Sequence, residues 1–172
     1  NVMLRGVTTS AEAKNALLKE LARKGYTVMD CLELLPDVKG LEGKTCGIIN
    51  VSVANMRVAP DFSSEMMTQS LMGMPVRVLQ RDGWVRIQTP DNYIAWVHRV
   101  GVHPVTEEEM AAWNKAEKIV VTAHYGFVYS EPNQTSQTVS DVVAGNRLKW
   151  EGSKGVFYKV TYPDGRRGYI SK

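Results

Sequence analysis

An internal repeat constrains this chain more than any other feature. Displacing the sequence by 72 positions lays Pro60 on Pro132, Ser64 on Ser136 and Gly73 on Gly145. One inserted residue in the next turn makes the displacement 73. Trp84-Val85-Arg86-Ile87 then falls on Phe157-Tyr158-Lys159-Val160, Thr89-Pro90-Asp91 on Tyr162-Pro163-Asp164, and Trp96-Val97 on Tyr169-Ile170. Identities are few, but turn residues and strand alternation agree together, which marks two copies of one small domain.

Each copy places a glycine (Gly73, Gly145) before an apolar strand. A turn at Arg81-Asp82-Gly83 or Gly152-Ser153-Lys154-Gly155 leads to an aromatic-led strand, and a second turn at Pro90-Asp91-Asn92 or Pro163-Asp164-Gly165 leads to a closing strand. These turn residues set hairpin geometry. Short β-branched runs at this density predict an SH3-like barrel of about five strands per copy.

The remaining segments read differently. Val2-Met3-Leu4 suggests a strand, and Thr9-Ser10-Ala11-Glu12 fits a capping box in which Thr9 caps a helix and Glu12 reaches back. Ala13, Leu17, Leu18 and Leu21 would form its apolar face, Gly25 its stop, and 26–32 a further extended run. Thr106-Glu107-Glu108-Glu109 repeats the capping pattern and predicts a short helix ending near Lys118, read as a linker. The expectation is a mainly β chain with a small α/β N-terminal unit and two tandem SH3-like β-barrels. Residues 1–47 form the α/β unit, 48–104 the first barrel, 105–118 the helical linker and 119–172 the second barrel.

Charge excludes some function classes. The formal net charge is only +3 and the basic residues are scattered, so nucleic acid is not an expected partner. No apolar run approaches the roughly 20 residues of a membrane helix. Cys31 and Cys46 are too few for a disulfide framework and are expected to be buried thiols. His98, His103 and His124 have no metal-site spacing and are expected to be ordinary packing or surface residues; neither cofactor nor metal is predicted.

Asn50-Val51-Ser52-Val53-Ala54-Asn55-Met56-Arg57, the following Pro60, and Asp82-Gly83-Trp84-Val85-Arg86-Ile87 resemble bacterial SH3 domains. So does Pro90-Asp91-Asn92-Tyr93-Ile94-Ala95-Trp96-Val97, with Asn92 and Ala95 where that family's closing motif has glycines. The whole arrangement is similar to the N-terminal portion of Bacteroides-type NlpC-family cell-wall peptidases, dipeptidyl-peptidase-like γ-D-glutamyl endopeptidases.

That resemblance implies a periplasmic or extracellular location and a non-catalytic module that binds peptidoglycan stem peptide, or a muropeptide, and shapes the cleft of a C-terminal cysteine-peptidase domain. The sequence stops at Lys172, before the Asp-Cys-Ser-Gly motif of such a domain, and neither cysteine sits in that motif, so no catalytic residue is expected. In the family, first-domain loops help recognise the free amine of the stem peptide, which needs carboxylate and aromatic walls. The residues available in the matching regions are Asp61, Glu65, Tyr93 and Trp96. Trp96, aligned with Tyr169, is also a candidate for barrel core. Tyr125, Phe127 and Tyr129 alternate along one strand; Tyr125 and Tyr129 are further ligand candidates, although packing of one barrel on the other is the favoured reading of the stripe. The alternative function is a stand-alone adaptor that takes an extended protein segment across the aromatic groove.

Overall fold

The computed structural model describes residues 1–172. The chain folds as two compact units, 1–43 and 44–172.

In the first unit, β1 (Val2–Thr8) and β2 (Val28–Leu34) pair in parallel across the helix α1 (Ala11–Arg23). The helix cap differs by one residue from the sequence expectation: the Ser10 side chain, not Thr9, accepts from Ala13 N, and Thr8 Oγ1 accepts from Ser10 N. The C-terminus closes in a Schellman motif, with Gly25 N donating to Ala22 O and Tyr26 N to Leu21 O. Lys14, Leu18 and Leu21 are the half-buried positions of the helix together with Glu20, whereas Leu17 stays exposed. The Lys14 ammonium bonds Leu32 O and the Asp30 carboxylate, which fastens helix to sheet. Cys31 lies exposed on β2 and Cys46 is half-buried; both are free thiols, so the burial expected of Cys31 is corrected. An exposed strand of two has no second layer to cover its outer face.

The second unit holds two sheets. The first contains β3 (Cys46–Ile49), β4 (Val53–Arg57), β5 (Met66–Leu71), β6 (Pro75–Asp82), β7 (Trp84–Gln88), β8 (Ile94–His98) and β9 (Val102–Val105), in the order β5-β4-β8-β7-β6-β3-β9. After α2 (Glu107–Lys115), the second contains β10 (Lys118–Val120), β11 (Tyr125–Tyr129), β12 (Thr138–Val143), β13 (Arg147–Lys154), β14 (Phe157–Thr161) and β15 (Arg167–Ser171), in the order β10-β13-β14-β15-β11-β12.

The repeat is visible in the register. Val53 pairs with Leu71 where Tyr125 pairs with Val143, and each ladder carries an irregularity at its end, Met56/Arg57 and Val128/Tyr129. Trp84↔His98 and Arg86↔Trp96 recur as Phe157↔Ser171 and Lys159↔Tyr169. Strand alternation fills each barrel from one face: Val85, Ile87, Ala95 and Val97 are buried in the first, and Val128, Val142, Leu148, Val160 and Ile170 in the second.

Turn chemistry repeats as well. Gly73 (φ 84°) donates to Ile49 O, as Gly145 (φ 90°) does to Val121 O, in left-handed backbone that excludes ordinary side chains. Asn92 (φ 70°) takes the place that Gly165 holds in the second copy, and asparagine is the residue that best tolerates it.

The helix α2 is more than a linker. Thr106 and Glu109 form the predicted capping box, and the helix ends at Lys115, three residues earlier than expected, because Lys118 begins β10. The Lys118 ammonium accordingly donates to the carbonyls of Trp113 and Ala116. Trp113 is buried with Ile48 and Val105 of the first sheet, and its Nε1 donates to Gly73 O at 3.2 Å.

The barrels are joined by buried contacts. Met72, which follows β5, is 1% exposed and packs into the second core with Val121, Leu148, Val160 and Tyr162. Around it, Arg147 N donates to Met72 O, Asn146 Nδ2 to Ser52 O at 2.8 Å, Ser52 Oγ to the Asp141 carboxylate at 2.7 Å, and Asn50 Nδ2 to the Asp164 carboxylate at 2.9 Å. The aromatic stripe of β11 takes no part, and Tyr125 is 60% exposed; the expectation that it packs barrel on barrel is corrected.

The joint gives a pH prediction. Burial works against the Asp164 carboxylate, but hydrogen bonds from Asn50 and Arg166 and the Arg166 charge outweigh it, holding its pKa below the usual value. A depressed folded pKa stabilises fully above the unfolded value, and this is lost as pH falls through the folded one. Asp164→Asn should therefore flatten the fall in melting temperature below about pH 4. Thermal melts of both proteins across that range check this, and parallel curves would refute it.

Candidate functional site

Two grooves lie at equivalent places in the two barrels. Their common cause is topological: β4 and β8 pair only at Arg57↔Trp96, and β11 and β15 only at Tyr129↔Tyr169, so each strand pair diverges beyond one contact.

The first groove, about 280 Å³, is lined by Val51, Val53, Asn55, Arg57, Phe62, Trp84, His98 and Val100, among others. Alternation explains the outward side chains. Val85 and Val97 point into the core, so their neighbours Trp84 and His98 point out and meet as a cross-strand pair. Phe62 arrives from the β4–β5 loop and packs on both, with ring centroids 4.8 Å from Trp84 and 5.0 Å from His98, while Trp84 and His98 are 5.3 Å apart. Phe62 nevertheless remains 67% exposed.

The loop carrying Phe62 is built by Asp61. Its carboxylate accepts from Ser63 N at 2.7 Å and Ser63 Oγ at 2.8 Å, which holds its pKa below the usual range. Asn133 accepts the corresponding bonds from Thr135 N and Oγ1 in the second copy. A neutral carboxamide does the same work, so loop structure needs the acceptor and not the charge. Asp61→Asn should then leave the urea midpoint close to that of wild type, whereas Asp61→Ala, which loses the acceptor, should lower it. Urea unfolding of the two variants checks the difference.

The four first-barrel candidates do not form one cluster. Asp61 and Glu65 lie on the exposed loop beside Phe62. Tyr93 is exposed at the opposite end of β8, five residues and about 16 Å of strand from His98. Trp96 is not core: Ala95 and Val97 fill that face, and Trp96 points outward beneath the Arg86 guanidinium, 5.7 Å from the ring centroid. Phe62, Trp84 and Arg57 line the groove although motif reading passed over them as candidates, and His98, read as ordinary packing or surface, lines it too. The alternation of Val85 and Ile87 in Trp84-Val85-Arg86-Ile87 was the signal for Trp84.

In the second barrel Tyr125 and Tyr129 do share a groove, of about 400 Å³, with Phe127, Gln134, Tyr158 and Lys172. Tyr125 and Phe127 meet edge to face at 5.1 Å, and the Lys172 ammonium lies 5.4 Å from the Tyr158 ring centroid. No group of three or more His, Cys, Asp or Glu side chains is disposed to hold a metal.

Comparison with known proteins agrees with this geometry. Residues 56–100 match the family model of the bacterial dipeptidyl-peptidase Sh3 domain, and residues 124–172 that of the bacterial SH3 domain. An NlpC/P60 family protein from Bacillus cereus superposes with a TM-score of 0.61 at 20% identity, over 74% of this chain and 54% of that one, and so shares its fold. NlpC2 and NlpC1 from Trichomonas vaginalis match 74% of this chain and 46% and 43% of theirs, at 16% and 18% identity, with TM-scores of 0.32 and 0.31. The chain spans about half the length of the solved structures it matches. No curated protein matches it. With two family matches that fall on the two barrels, the chain carries two bacterial SH3 domains in tandem, the first of the dipeptidyl-peptidase type.

Proposed function

We propose that this chain is the non-catalytic binding and positioning part of an exported cell-wall cysteine peptidase, and that the first-barrel groove engages the stem peptide of peptidoglycan. One observation carries the reading: the span that matches the dipeptidyl-peptidase Sh3 domain contains the Asp61–Glu65 loop and the Phe62, Trp84 and His98 cluster that it completes. Asp61 and Glu65 place carboxylates beside an exposed aromatic wall, the pairing that holds an ammonium. Trp96 and Tyr93 extend the exposed face away from that loop.

Cys46 fits a non-catalytic role. Burial, followed by the nearby Glu107 charge, pushes the Cys46 thiol up, the opposite of nucleophile activation.

The test is NMR titration with L-Ala-γ-D-Glu-diaminopimelate and its N-acetyl form. Shifts at Phe62, Trp84 and the loop that vanish on acetylation are expected. Asp61→Asn, which keeps the loop, should weaken the free-amine ligand by about two- to five-fold. Silence at these residues, or shifts indifferent to acetylation, would overturn the assignment.

A further inference from the structure

The two grooves share one origin but not one lining. Val53, Asn55, Arg57, Phe62 and His98 of the first are replaced in the second by Tyr125, Phe127, Tyr129, Gln134 and Ser171 at the same repeat positions. Elsewhere the copies preserve their bonds, from the Asp61 and Asn133 turns to the Gly73 and Gly145 corners. The shared scaffold thus presents different chemistry in each groove.

Three properties of the second groove define what it takes. Its one charged lining side chain is Lys172, and at the repeat positions of the first-barrel loop carboxylates Asp61 and Glu65 it has the neutral amides Asn133 and Gln137, so it favours an anion where the first-barrel loop favours an ammonium. Its rings stand at 77° (Tyr125 to Phe127) and 56° (Phe127 to Tyr129), making ridges with slots between them instead of a flat platform. Slots accept the successive side chains of an extended chain, whereas a sugar ring stacks on a flat face. Lastly, β11 pairs with β15 only at Tyr129↔Tyr169, leaving the 125–128 stretch of β11 without a strand partner on that side. Such an edge offers main-chain hydrogen bonds to a peptide.

We propose that the second-barrel groove binds the carboxylate-bearing end of an extended wall peptide, its backbone along the opening between β11 and β15 and its carboxylate at Lys172. This rests on the wall-peptide reading above and assigns the two barrels opposite ends of that ligand class. Tyr158 fits the same role: with the Lys172 ammonium above its ring, it holds the cation over the groove.

The experiment titrates the full chain with N-acetyl-L-Ala-γ-D-Glu-diaminopimelate, with the same peptide amidated at its carboxylates, and with a chitin tetrasaccharide. The expected result is shifts at Tyr125, Phe127, Tyr129 and Tyr158 with the acetylated acid, and binding about two- to five-fold weaker for the amide. In Lys172→Glu, an exposed position that leaves the core untouched, the acid should lose this preference. Equal binding of acid and amide, or shifts of these rings by the saccharide alone, would overturn the proposal. Acetylation blocks the N-terminal amine, and the distal amine of diaminopimelate is common to acid and amide, so the difference between those two ligands does not depend on the first groove. Shifts confined to Phe62 and Trp84 with the free-amine peptide would sink this inference alone, and silence at both grooves would sink both readings.

Discussion

Met72→Ala is expected to destabilise the second barrel by about 2–5 kcal/mol, although Met72 belongs to the first repeat. Its side chain is 1% exposed and lies among Val121, Val128, Val142, Leu148, Val160, Tyr162 and Ile170. Truncation removes most of a buried side chain and leaves a cavity, and the neighbours are held by two ladders and cannot collapse into it. The repeat partner of Met72 is Ala144, so the second copy supplies no matching plug for the first. Urea unfolding followed by the ring signals of Tyr162, which is buried in that core, measures the loss. Met66→Ala, at a position 50% exposed, should shift the midpoint little, by about 0.5 kcal/mol or less. A Met72 effect no larger than that control would show that the barrels are independent.

Gly73→Ala should cost at least about 2 kcal/mol, from two sources that act together. The backbone is left-handed at φ 84°, and an added Cβ would stand 2.4 Å from the Arg147 carbonyl oxygen of the other barrel. Backbone cannot yield as a flexible side chain can. The carbonyl of Gly73 itself accepts from Trp113 Nε1, so the substitution also disturbs the docking of α2. Gly145→Ala is the informative comparison: its Cβ would meet only the end of the Leu71 side chain, at 2.8 Å. Gly145→Ala should therefore be the milder of the two in thermal melts, and equal losses would contradict the part assigned to the barrel joint.

Buried tyrosine also reports on the joint. The Tyr162 hydroxyl shares a 2.6 Å hydrogen bond with Ser140 Oγ, and burial pushes its pKa up to about 12. A group that must ionise on one side of a core resists doing so until that core opens.

What the sequence revealed was governed by local chemistry. Displacements of 72 and 73 predicted paired ladders, and the register obeys them down to the irregular ends of β4 and β11. Capping at Thr106 and Glu109 was equally legible, since both bonds lie within four residues. Contacts between distant segments were not. Met72 reaches a core built from residues 121–170, and no periodicity in its neighbourhood marks that destination.

The site was legible in part for the same reason. Ile94-Ala95-Trp96-Val97-His98 is apolar on both alternating faces, so pattern alone could not decide whether Trp96 or its neighbours face inward. Asp61 was legible as a candidate carboxylate, but not its bonds, which are those of a turn that a neutral Asn133 also makes. Tyr125 and Tyr129 were read correctly as a strand face, but the groove exists because β11 and β15 separate beyond one pair, a fact of barrel closure and not of sequence.

The most direct measurement is co-sedimentation of the full chain with purified, protein-free peptidoglycan, with soluble stem tripeptide as competitor. The account predicts that the chain pellets with the wall, is displaced by the tripeptide, and releases no peptide fragments into the supernatant. A chain that stays in solution at every wall concentration would contradict it, and so would release of dipeptides by this chain alone.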